Sequence, residues 1–120
     1  MLFPLKEAGE LLSDSLRRAE RGRLFSRQQA NTLAESLLPL AERHGWSVSV
    51  DTGFPFRARL TLSERAWVTV SPNYGRAGFE VTVGGLTTNA GRDVPMQAVP
   101  LYAEALALSV VWGLEERSAA

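Results

Sequence analysis

Arg57 and Arg59 lie two residues apart in a stretch where polar and apolar residues alternate. In a strand, that spacing puts both guanidinium groups on one side. Trp67, Thr69, Ser71 and Thr82 join that side if the following stretches pair as a meander, and Tyr74 and Arg76 fall in the adjoining turn. Arginines beside an aromatic ring on an open sheet can stack bases and hold phosphates. The same residue types are enriched at the centres of protein interfaces. The plainer alternative is a solvated face, with Trp67 covered by a loop. No ribonucleoprotein-type aromatic motif occurs on any strand, and the formal net charge is zero. A dedicated nucleic-acid binder usually carries a basic excess. The expected partner is therefore a protein, with nucleic acid as the alternative.

A second basic group is Arg17, Arg18, Arg21, Arg23 and Arg27, opposed only by Glu20 over residues 17–27. It could meet phosphate or an acidic protein patch. It could equally be the cationic end of a helix followed by a solvated turn.

The last helix offers a third surface. Leu101, Ala105, Leu108 and Trp112 form one stripe. Tyr102, Leu106, Val110 and Leu114 widen it, Ala107 and Val111 lie towards the back, and Glu104 and Ser109 are the interruptions before Gly113. A helix apolar nearly all round is usually buried on more than one side. Either it is the central helix, or its second side is a subunit interface, most simply that of a two-fold homodimer. Tyr102, Leu106, Val110 and Val111 are the candidate contacts for such a dimer.

Support for catalysis is thin. His44 is the single histidine, and no cysteine supplies a thiol nucleophile or a thiolate ligand. Glu42, His44 and Asp51 are close in sequence, but nearness in sequence is not a geometry. No G-x-S-x-G elbow surrounds a serine. The glycines at 84–91 fit neither a Walker loop nor a dinucleotide fingerprint. No catalytic residue, cofactor or metal site is assigned, and a non-enzymatic interaction module is expected: an adaptor, a chaperone-like factor or a small inhibitor, with a small-molecule binder or enzyme under the 84–95 loop as the third reading.

The elements that must position these groups follow from periodicity. Leu5, Ala8, Leu12, Leu16 and Ala19 predict a first helix that stops at Gly22. Ser26 and Gln29 read as a capping box opening a second helix, with Ala30, Leu33, Ala34, Leu37 and Ala41 as its stripe and a kink at Pro39. His44-Gly45 ends it. The period then changes from 3.6 to 2 over Trp46–Asp51, Phe56–Leu62, Trp67–Ser71 and Phe79–Val83. Clean alternation marks an antiparallel sheet with one face on the core. Residues 84–95 show no period and read as a surface loop, and Pro100 opens a third helix through about Glu116. The expected fold is α+β: a two-helix hairpin, a four-stranded antiparallel meander and a C-terminal helix, with the helices on one face of the sheet.

At 120 residues with 45% hydrophobic side chains, the chain is sized for one compact domain over 1–120. Its twelve arginines against the single Lys6 suit a GC-rich genome as readily as a bidentate-contact surface. The opening residues lack the basic start of a signal peptide. The apolar stretch Ala105–Trp112 is too short to span a bilayer. A cytoplasmic protein without membrane contact is expected.

Overall fold

The computed structural model describes the backbone of residues 5–51 and 56–119, and side chains at 17, 18, 21, 27–51, 56–91 and 93–116. The elements run α1 (Leu5–His44), β1 (Ser47–Val50), β2 (Ala58–Ser63), β3 (Ala66–Asn73), β4 (Arg76–Val83), β5 (Leu86–Pro95) and α2 (Val99–Ala119), with a 3-10 turn at Met96–Ala98 leading into α2. The strands form one antiparallel sheet in chain order. The α+β class with an antiparallel sheet is thus observed, but the number of helices and strands differs from expectation.

The two-helix hairpin is replaced by one 40-residue helix. Gly22 and the Ser26/Gln29 pair permit a break but do not impose one. An interior glycine costs only about 1 kcal/mol relative to alanine, whereas a break forfeits a turn of backbone hydrogen bonds and requires a second nucleation. The arginines, glutamines and alanines on either side are good helix formers. Pro39 also lies inside α1. It is exposed, as is Glu35, so water can satisfy the carbonyl that loses its donor. The helix stops at Gly45, whose φ of +71° is left-handed. There Trp46 N–H donates to the Ala41 carbonyl at 2.9 Å, as in a Schellman cap.

The sheet has five strands rather than four, because the residues read as a loop form β5. Two of the hairpins turn on residue pairs with positive φ: Tyr74 (48°) with Gly75 (78°), and Gly84 (58°) with Gly85 (86°). Two-residue turns of this kind match the twist of the flanking strands. The β2–β3 hairpin instead shifts register between Thr61 and Ser63. β5 is bulged against β4 around Phe79.

The core joins Leu33, Leu37, Leu40 and Ala41 of α1, six sheet residues (Ala58, Leu60, Val68, Val70, Ala77, Phe79) and Val99, Ala103 and Ala107 of α2. The contribution of α2 is small side chains, which let its axis lie close to the sheet. α2 packs beside α1 and contacts β3 and β5. Glu104 pins the two helices together. It accepts from Arg43 Nη2 at 2.6 Å and lies 3.1 Å from His44 Nε2. The His44 ring stacks on Trp46 with centroids 4.3 Å apart. Among the described side chains of α1, burial begins at Ala30. The N-terminal half extends past the sheet, so the molecule measures 72 × 26 × 22 Å and is elongated rather than compact.

Candidate interaction surfaces

Strand pairing fixes the polar face of the sheet. Across β2–β5 the register aligns Arg59, Thr69, Glu80 and Asn89 in one row, and Thr61, Trp67, Thr82 and Thr87 in the next. Arg59 lies over the Trp67 ring, its Cζ 4.7 Å from the centroid. Thr82 and Thr87 share a hydroxyl hydrogen bond of 2.8 Å between β4 and β5. Arg57 reaches Asp51 at 3.5 Å and Glu80 at 4.0 Å. Its Nε is enclosed without a hydrogen-bond partner. These half-exposed ion pairs are worth about 0–1 kcal/mol each in stability, but they balance the positive charge of Arg57 with two carboxylates.

Tyr74 does not join this group, and Arg76, on the same side of β4 as Glu80, is turned towards β5. Tyr74 stands at the β3–β4 turn and is 93% exposed. It lies seven residues along from Trp67, a separation of about 23 Å in an extended strand. The Arg76 guanidinium donates to the Asp93 carbonyl, across to β5.

The sheet face also carries a cleft of about 500 Å³, bordered by Ser71, Asn73, Glu80, Asn89 and Asp93. It is built on β5, whose residues carry no period in the sequence. Gly91 forms part of its floor and lies against Tyr102 of α2. The Tyr102 hydroxyl donates to the Ala90 carbonyl at 2.6 Å, and its ring packs on Phe79 with centroids 4.7 Å apart.

The second surface is the outward side of α2. Tyr102, Leu106, Val110 and Val111 are half-buried, with Tyr102 and Leu106 packed against the core. The side chains most open to solvent lie on another stripe: Leu101 is 74% exposed and Trp112 59%, with exposed Ala105 and half-buried Leu108 between them. Their spacing of four, three and four residues is that of a coiled-coil seam. Among the described residues, this stripe is covered only in part, at Leu108 and over part of Trp112. Met96–Glu116, at 21 residues and a mean hydropathy of 1.3, is long and apolar enough to cross a membrane by length and composition. The shorter span read from Ala105–Trp112 omitted the turns on either side. Only 17% of the most apolar window is buried.

The arginines of the second basic group lie along α1, not in a turn. Arg17, Arg18, Arg21 and Arg27 are exposed, and the side chain of Arg23 lies outside the described residues. Spread over residues 17–27 of the helix, they occupy about 15 Å of its length. Arg27 borders a hollow with Asn31, Asp51 and Phe56. The three groups near one another in sequence part company: His44 turns to Glu104, Asp51 to Arg57, and Glu42 to solvent. Among the described residues, no three His, Cys, Asp or Glu side chains cluster as metal ligands do.

No protein-family model, curated protein or solved structure matches the chain.

Proposed function

We propose that this chain is a non-enzymatic protein-binding module that docks through the outward stripe of α2. The observation that carries the reading is the mismatch between the hydropathy of α2 and its burial: Leu101 and Trp112 are mostly in water on a helix apolar enough for a core. A contiguous apolar stripe around an exposed tryptophan is the composition of an interface centre. A bilayer is the weaker occupant. Val99, Ala103 and Ala107 are fully enclosed in the sheet core, so insertion would require α2 to leave it. Nucleic acid is also weaker, because Arg57 already faces Asp51 and Glu80. An adaptor, a chaperone-like factor and a small inhibitor all fit such a module.

The test is photo-crosslinking in cells with benzoylphenylalanine at position 105, and at position 89 on the sheet face as comparison. Protein adducts from position 105 but not from 89 are the expected result. Absence of protein adducts at 105, or adducts confined to 89, would refute the assignment.

A further inference from the structure

We infer that the partner of the α2 stripe is a second copy of α2, laid antiparallel across a two-fold axis. This rests on the protein-binding reading above and names its occupant. Three features of the stripe favour that partner. Leu101, Ala105, Leu108 and Trp112 follow the alternating three- and four-residue spacing that keeps a seam facing a neighbouring helix. In an antiparallel pair, Leu101 faces the partner's Trp112 and Ala105 faces the partner's Leu108. Each contact then sets a larger side chain against a smaller one, as interdigitating layers require. In a parallel pair, Trp112 would meet its own copy while the two Ala105 left a gap.

Charge selects the same orientation. The first turn of α2 carries no acidic residue and forms the positive end of the helix dipole. Glu115 and Glu116 are exposed at the other end. Antiparallel pairing brings these carboxylates beside the partner's first turn, around Ala98. Parallel pairing would bring four carboxylates together. A two-fold axis makes both complementary contacts at once, since an isologous interface uses the same patch twice.

The seam from Leu101 to Trp112 spans about 18 Å of helix. That is shorter than the roughly 800 Å² per partner of a standard interface would need. The pair should therefore form and dissociate in the micromolar range.

The chain has no cysteine, which permits a clean orientation test on the full-length protein. Light scattering from about 1 to 500 µM should show the mass rising from 13.1 kDa towards twice that value. Ala105→Glu, at an exposed position, should hold the mass at the monomer value while leaving unchanged the circular dichroism spectrum and the Tm, both read at about 1 µM where the parent is monomeric. An equimolar mixture of Leu101→Cys and Trp112→Cys under mild oxidation should give mainly the mixed disulfide. A monomer mass throughout the range, or a dimer indifferent to Ala105→Glu, would overturn the pairing. Homodisulfides in preference to the mixed product would overturn the antiparallel order. If the purified protein stays monomeric while position 105 still crosslinks to other proteins in cells, the pairing fails and the protein-binding reading stands. If position 105 yields nothing in cells and the protein is monomeric, both fail.

Discussion

Replacing Gly91 by alanine should be among the most costly single-methyl additions in this chain. At a φ of +153°, Gly91 has a backbone conformation that side chains rarely adopt, and an added Cβ would lie in steric overlap with the Tyr102 hydroxyl and 2.9 Å from its Cζ. The ring must move or the β5 backbone must shift. Moving the ring sacrifices the hydrogen bond to the Ala90 carbonyl, worth about 1 kcal/mol net. It also disturbs the tilted contact with Phe79, worth about 0.5–1.5 kcal/mol beyond burial. Holding the ring in place instead incurs overpacking strain of about 1–3 kcal/mol. Either route gives a destabilisation of about 1–3 kcal/mol. Urea unfolding should show it as a lower midpoint with unchanged slope. Tyr102→Phe removes the nearest clashing atom, so Gly91→Ala should cost at least about 1 kcal/mol less in that background, as neighbouring sites couple by such amounts. Equal cost in both backgrounds, or a Gly91→Ala variant within about 0.5 kcal/mol of the parent, would refute the close approach of α2 to β5.

Three further substitutions probe other parts of the structure. Gly22→Ala should stabilise the protein by about 0.5–1 kcal/mol if α1 is continuous, with more negative ellipticity at 222 nm; a left-handed glycine ending a hairpin helix would make the same change destabilising. Arg59→Ala should uncover Trp67 and cost about 0.5–1 kcal/mol as a lost cation–π contact. Its check is a rise in the iodide-quenchable share of tryptophan emission, which Trp67→Phe should abolish. Glu104→Ala should cost less than about 1 kcal/mol, because Arg43 is largely in water, yet it should speed amide exchange near His44 where α1 meets α2.

The parts of the fold legible in the sequence are those where one face is buried and the other is not. Ala30, Leu33, Leu37 and Ala41 are core residues at the helical period that announced them. Alternation set Leu60, Val68, Val70 and Phe79 inward, and Arg57, Arg59 and Trp67 on the other side. β5 was hidden because it is an edge strand with both sides largely in water around Thr87, Thr88 and Asn89. Its stability comes from pairing with β4 and from the Thr82–Thr87 bond, which leave no hydrophobic period. The continuity of α1 was hidden because Gly22 and Ser26 are permissive signals that neighbouring residues outweigh. The pairing of Arg57 with Glu80 depends on the register across β2, β3 and β4, beyond any local pattern. The orientation of α2 was illegible for a different reason. Where every side is apolar, periodicity cannot choose the buried one, and the choice fell to the small residues Ala103 and Ala107 because they admit the closest approach.

The length of α1 has a hydrodynamic consequence. The radius of gyration is 18.9 Å, the value expected for a globule of about 290 residues. A single copy should therefore tumble and migrate as a much larger particle. On a sizing column calibrated with spherical standards, the monomer should elute earlier than its mass of 13.1 kDa would place it. Its retention volume reports shape before it reports stoichiometry, and slow rotational diffusion would persist in a variant whose α2 stripe has been made incapable of association.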